Sequence, residues 1–113
     1  MQAMTISTIL FVCTGNTCRS PLAEGLANKW LDEHDCKGWL AVSAGVLAID
    51  GTPTSEETIH ALSERGIVYK GTSKPLTQAM AKEANFVFCM SKSHLTVAKQ
   101  FAKNAQLLGD DGD

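Results

Sequence analysis

Arginine is scarce in this chain: Arg19 and Arg65 are the only two among 113 residues. The lysines are scattered and the net charge is −2, so no basic stripe is available to follow a nucleic acid backbone or an anionic membrane. Long apolar runs are missing as well, and the one ending at Val12 is far too short to span a bilayer. Met1 to Thr8 lack the charged start of a secretory leader, which makes the cytoplasm the expected compartment. No Gly-x-Gly-x-x-Gly follows a strand, no loop ends in Gly-Lys-Ser or Gly-Lys-Thr, and the cysteines form no Cys-x-x-Cys. These absences exclude the common dinucleotide, nucleoside triphosphate and dithiol chemistries. Without repeats, low-complexity stretches or an internal linker, residues 1–113 are expected to form one domain.

What is present is organised around Ile9 to Glu24. The apolar run Ile9 to Val12 ends at Cys13, four residues separate that cysteine from Cys18, and Arg19, Ser20 and Pro21 open a segment with Leu22, Leu26 and Trp30 at helical spacing. The pattern is strand, tight loop, helix. A loop that feeds a helix N-terminus collects unpaired backbone N–H groups and partial positive charge, a place suited to an oxyanion. Cys13 at the first loop position lies in the same field, which stabilises a thiolate over a thiol and makes this residue a candidate nucleophile. Arg19, six residues on, carries a planar fork of donors that fits two oxygens of a tetrahedral oxyanion. The combination points to phosphoryl transfer through a phosphocysteine. A thiolate nucleophile needs a reducing compartment, so the four cysteines are read as thiols.

Along the chain, Thr5 to Val12 reads as a buried parallel strand, with Ser20 an N-cap and Pro21 the first position of a helix running to about Leu31. Trp39 to Ser43 is a second strand ending at Ala44-Gly45, and Asp50-Gly51 marks a turn in the loop Val46 to Pro53. Thr54-Ser55-Glu56-Glu57 fits a capping box for a helix to Arg65, with Gly66 its stop. After an irregular Ile67 to Pro75 come a short helix, Thr77 to Ala84, and a third strand, Asn85 to Met90. Ser91 then caps a helix with Leu95, Ala98, Phe101 and Ala102 on one face, and Gln106 to Leu108 is a short fourth strand. The expected fold is α/β and three-layered: a four-stranded parallel sheet with helices on both faces and the phosphate loop at the C-terminal edge of the first strand. Asn16, after Gly15, suits a left-handed backbone conformation that bends the loop so that its amides converge. His34, His60 and His94 share no spacing that suggests a metal site.

Cys13-Thr14-Gly15-Asn16-Thr17-Cys18-Arg19-Ser20-Pro21 resembles the signature of the low-molecular-weight protein tyrosine phosphatase family, and Ser43-Ala44-Gly45 and Phe86 to Met90 resemble the ends of its second and third strands. The resemblance covers nearly all of the chain. It implies Cys13, Arg19 and Ser20 as catalytic residues, with Ser20 donating to the cysteine sulfur, and Thr14, Gly15, Asn16, Thr17, Cys18 and Arg19 as the phosphate-binding loop. It also implies Ser43 as the support of Asn16, and Cys18 as a redox partner able to trap oxidised Cys13 as a disulfide. Cys36, expected at the surface, and Cys89, in a strand, are expected to be inert. No metal or organic cofactor is implied. The implied partners are a phosphorylated protein substrate and phosphate or another oxyanion in the loop, without nucleic acid or membrane. Thr17 stands where one branch of the family carries a bulky aliphatic residue and favours phosphotyrosine. A bacterial branch with threonine there resembles protein-arginine phosphatases, and Ala44-Gly45-Val46-Leu47-Ala48 supplies no aromatic ring to stack on a phenyl group. Both features lean towards phosphoarginine and leave phosphotyrosine open.

The sequence departs from the family in two places. No Asp-Pro pair, the family's general-acid signal after the fourth strand, occurs in the 113 residues, and Asp110, Asp111 and Asp113 are candidates by proximity only. The expectation is a natural chain that continues past Asp113, with the domain C-terminally incomplete here and self-association possible through a sheet face left uncovered. The second departure is the lack of the histidine often found near Gly71, which puts in doubt a local hydrogen bond supporting the loop. Two rivals stand beside the phosphatase: a non-catalytic phosphate-binding module lacking the acid, and an arsenate reductase of the same fold. The latter needs two further cysteines after the third strand, where only Cys89 lies.

Overall fold

Burial deepens along the first strand, from half-buried Ser7 to fully buried Leu10 and Val12, so that the strand delivers Cys13 from the middle of the core to its edge. The structure is a computed structural model that describes residues 5–109. In chain order it contains β1 (Ser7–Cys13), α1 (Arg19–Glu33), β2 (Trp39–Gly45), α2 (Glu56–Ser63), α3 (Gln78–Glu83), β3 (Phe86–Cys89), α4 (Lys92–Ala98) and β4 (Gln106–Leu107). All strands are parallel, in the order β2-β1-β3-β4. The register sets Phe11 between Ser43 and Phe88 and places Cys13 beside Gly45, so the carboxyl ends of β1 and β2 finish together. No helix among the described residues is long and apolar enough to cross a membrane.

Alternation along the strands divides the side chains between two faces. Leu10, Val12, Val42, Ala44, Val87 and Cys89 point to one side, where Ala81 of α3 and Ala98 of α4 close over them with Ala102 and Ala105. These small residues let short helices approach the sheet closely. The other side carries Ala41 and Ser43 under α1, and then an aromatic ladder in which Trp39, Phe86, Phe88 and Phe11 stack with ring centroids 5.8, 6.1 and 6.0 Å apart. Phe86 at the edge of that ladder is 43% exposed. The outer edge of β2 is occupied by a side chain: the Asn28 carboxamide donates to Ala41 O at 3.0 Å and accepts from Ala41 N at 2.8 Å, as a further strand would.

Several boundaries move from their sequence expectations. α1 begins at Arg19 with Cys18 in the N-cap position and no side-chain cap, so Ser20 and Pro21 lie inside the first turn. Ser20 is not the cap because its hydroxyl faces the Cys13 sulfur. The Leu22, Leu26 and Trp30 stripe is not the buried face of α1 either. That face is Pro21, Gly25 and Leu31, while Trp30 is 54% exposed and stacks on His34 at 3.9 Å. Gly25 is used for close approach, since a Cβ there would stand 2.9 Å from the Leu62 side chain of α2. The cap of α2 is Ser55 rather than Thr54, whose hydroxyl donates instead to Gly71 O at 2.9 Å. Gly66, at φ 76°, ends that helix as expected, with Ile67 N bonding Leu62 O and Gly66 N bonding Ser63 O. α4 stops at Ala98, and Phe101 and Ala102 continue its apolar face on turns rather than helix. Cys36 is half-buried rather than exposed, its thiol against His34 O.

Leu62 is fully buried and seats α2 on α1. Leu62→Ala is expected to cost ~2–5 kcal/mol in urea unfolding; a loss well below that range would show that α2 contributes little to the core.

Candidate active site

The turn after β1 is bent by Asn16, whose φ of 56° lies in the left-handed region and whose side chain is 1% exposed. Four of the loop carbonyls find a donor outside the turn. Cys13 O accepts from Val46 N, Thr14 O from Leu47 N at 2.9 Å, Thr17 O from Ser55 N at 2.8 Å, and Cys18 O from both Leu22 N and the Thr58 hydroxyl. Among the described residues the N–H groups of Thr14, Gly15, Thr17, Cys18 and Arg19 have no acceptor, while that of Asn16 donates to Cys13 Sγ at 3.3 Å. A ring of orphan donors at a helix N-terminus is an oxyanion cradle in the physical sense. The Arg19 side chain is exposed, and no carboxylate among the described residues pairs with it.

Hydrogen-bond directions around the sulfur follow from two fixed ends. Lys74 N can only donate, and at 2.8 Å it identifies the Asn16 atom it meets as Oδ1. The two Nδ2 protons then point to Ser20 Oγ at 2.8 Å and Ser43 Oγ at 2.9 Å. Ser43, having accepted, donates to Glu24 Oε1 at 2.7 Å. Ser20, having accepted, has its own proton free for Cys13 Sγ at 2.9 Å, since its only other acceptor, Ala44 O, is at 3.5 Å. Cys13 is 3% exposed and receives two donors, the Ser20 hydroxyl and the Asn16 amide.

The network includes residues that the sequence alone did not single out. Glu24, one turn into α1, terminates the chain of hydroxyls. Tyr69 faces it, and its phenol is held well above the ordinary tyrosine range, first by burial and then by the Glu24 carboxylate and a hydrogen bond to it, with Ser43 opposing. His94, 1% exposed in α4, meets the Thr14 hydroxyl with Nε2 at 2.7 Å and the Ser91 hydroxyl with Nδ1 at 2.9 Å. Ser91 was legible as a cap, but nothing in a sequence separation of 80 signalled the contact with Thr14. Gly45 is a third such residue. A Cβ on it would collide with Thr14 O and stand 2.9 Å from Asn16 N, while its own amide and carbonyl bond Lys74 O and Leu76 N.

The other predicted residues fall around this centre. Thr17 has its hydroxyl near Gly15 and no side-chain partner among the described residues. Cys18 is exposed, and all four thiols are free. Burial pushes the Cys89 thiol up to about 11. Asp110, Asp111 and Asp113 lie outside the described residues. No group of three or more His, Cys, Asp or Glu among the described residues stands ready for a metal ion.

Comparison with known proteins adds a family. The profile described as low molecular weight phosphotyrosine protein phosphatase matches residues 8–108. A protein-arginine-phosphatase of Bacillus subtilis is 38% identical over 96 residues, an alignment covering 84% of this chain and 63% of that protein. Among solved structures, a low molecular weight protein tyrosine phosphatase from T. tengcongensis superposes with a TM-score of 0.84 at 38% identity, covering 95% of this chain and 79% of the other. The YwlE arginine phosphatase with a phosphorylated active site serine superposes at 0.83 with 30% identity, over 88% of this chain and 68% of that one. The chain thus spans a little under two thirds of the length of the Bacillus relative.

Two outcomes follow from this geometry. Gly45→Ala pushes on loop backbone rather than on a flexible side chain, so vanadate affinity is expected to fall at least about tenfold while the far-ultraviolet spectrum is retained; unchanged affinity would mean that the loop tolerates the shift. The folded state holds the Tyr69 proton more tightly than the unfolded chain, with its ordinary value of 10.0. Its stabilising contribution is therefore complete below about pH 10 and is lost as pH rises from there towards the folded value. Thermal unfolding above about pH 10 is expected to fall less steeply in Tyr69→Phe than in the parent.

Proposed function

The chain belongs to the low molecular weight phosphotyrosine protein phosphatase family, and from that premise we propose that it hydrolyses phosphorylated protein side chains through a phosphocysteine. The observation that carries the reading is the loop itself: four carbonyls tied to neighbouring segments, five amides without an acceptor among the described residues, and a buried sulfur receiving two donors. Cys13 Sγ attacks phosphorus as the bond to the leaving group breaks. The amides of Thr14 to Arg19 and the Arg19 guanidinium hold the phosphoryl oxygens where charge accumulates. The Ser20 hydroxyl stabilises the thiolate before attack and again when water displaces it from phosphorus. Cys18 serves as the resolving thiol: peroxide oxidises Cys13 to a sulfenic acid, and the Cys18 thiolate displaces hydroxide from that sulfur to form a disulfide.

For the substrate, we favour phosphoarginine. The unpartnered Thr17 hydroxyl is suited to bond a guanidinium N–H, and the adjoining Val46-Leu47-Ala48 offers no ring for a phenyl group. The curated relative named a protein-arginine-phosphatase supports the same choice.

Activated aryl phosphates are the first substrates to use, because their leaving group departs without protonation and general acid help is worth ~10²–10⁴ for poorer ones. Cys13→Ser is expected to lower turnover by at least about 10³-fold, with a phosphocysteine trapped on the parent chain by mass spectrometry. Retained phosphate binding without any phosphoenzyme would mark the chain as a binding module instead. Thr17→Val keeps the shape and removes the hydroxyl, so the ratio of phosphoarginine to phosphotyrosine hydrolysis is expected to drop roughly 5- to 10-fold; an unchanged ratio would reject the assignment of Thr17.

A further inference from the structure

Gly71 has no side chain, and the space that one would occupy is already taken. A Cβ built there would stand 2.6 Å from the Tyr69 hydroxyl and 2.7 and 2.8 Å from the adjoining ring carbons. Tyr69 therefore folds back over its neighbour instead of pointing into solvent, and it shares a groove with Glu24, Gly25 and Asn28 of α1. Gly71 is itself pinned, because its carbonyl accepts the Thr54 hydroxyl at 2.9 Å. The phenol ends beside Ser43 and Glu24, the carboxylate that takes the Ser43 proton, and hydrogen-bonds both.

We infer that Tyr69 is a positioning residue for the catalytic sulfur: its ring fills the place left by Gly71, and its hydroxyl holds Glu24 as the terminal acceptor of the hydrogen bonds that orient Asn16 and Ser20 on Cys13. The inference rests on reading Cys13 as the nucleophile. It also answers the loss of a histidine near Gly71, since the support for the loop comes from two residues earlier in the chain. A carboxylate left to itself one turn into α1 samples several rotamers in water. With a phenol donor beside it, one oxygen stays turned to Ser43, Ser43 keeps its lone pair on Asn16, and the second Asn16 proton stays on Ser20. The phenol keeps its proton throughout the neutral range, so the donor does not titrate away where the site works.

The test reads the sulfur directly. Cys13 alkylation by iodoacetamide is followed by peptide mass spectrometry, which separates it from the other three cysteines. Tyr69→Phe keeps the ring over Gly71 and removes only the hydroxyl. The expected result is a rate about 3- to 10-fold below the parent at about pH 6, with a smaller gap at about pH 9. Turnover of an aryl phosphate should show the same variant lowered in kcat by a similar factor, with KM within about twofold. Gly71→Ala displaces the hydroxyl by a different route and should reproduce these values, and the double variant should be no worse than either single one. Equal alkylation of the Tyr69→Phe variant and the parent at both pH values would overturn the inference. So would a deficit of the same size at both, which reports access rather than charge. Because alkylation needs no turnover, failure of the phosphatase reading would leave this result interpretable.

Discussion

Everything at this site depends on the direction in which one carboxamide faces. The Asn16 side chain has an acceptor end and a donor end, and in isolation the two are nearly interchangeable in shape. The Lys74 backbone amide removes the choice, and the Glu24 carboxylate agrees with it from the other side. Once those ends are set, the hydroxyls of Ser20 and Ser43 both accept from Asn16, and the free proton of Ser20 falls on the sulfur, the nearer of its two acceptors. A reversed carboxamide would bring Oδ1 against Ser20 and Ser43 and leave the Lys74 amide against a donor. Buried networks of this kind are costly when half satisfied, which is why the whole set is oriented together. Among the described residues no buried side-chain nitrogen or oxygen lacks a partner.

The fold serves that network by bringing distant segments to the carboxyl edge of two strands. Lys74 lies 58 residues from Asn16 and Ser43 lies 27 away, yet both reach it because the segment around Lys74 pairs with Gly45 beside the loop. Gly45 makes the meeting possible by having no side chain where three backbones converge. Loop carbonyls are stitched to Val46, Leu47 and Ser55, so the amides cannot collapse onto them. That arrangement keeps the donors oriented before any anion arrives, the condition under which fixed dipoles stabilise developing charge most. Ion pairs take no part in it. The two among the described residues, Lys37 with Asp35 and His60 with Glu64, are exposed and contribute little.

Much of this was legible from residues in order. Apolar β-branched runs ending at turn residues marked the strands, and capping hydroxyls marked the starts of α2 and α4, because those signals are local. Ser55 in place of Thr54 shows the limit of such signals. Both residues can cap, and the choice fell on the one whose hydroxyl was not required elsewhere, by Gly71. Ser20 is the same lesson in the loop after β1, since its local role as a cap lost to a contact with sulfur. Trp30 misled through periodicity: helical spacing identifies a face but not which neighbour is present to cover it. Glu24, Tyr69 and His94 carried no local signal, for each acts on a residue that only folding brings near.

By itself, the sequence determined the strand, loop and helix around Cys13, the left-handed turn at Asn16 and the chemical types assembled there, because the identities and spacing of adjacent residues suffice for each. Only the tertiary structure decided which way the protons run. A hydroxyl can donate or accept, and a carboxamide can face either way, so the choice belongs to fixed donors and acceptors from other segments. Here these are the Lys74 amide and the Glu24 carboxylate, with Tyr69 behind it in the space that Gly71 leaves open.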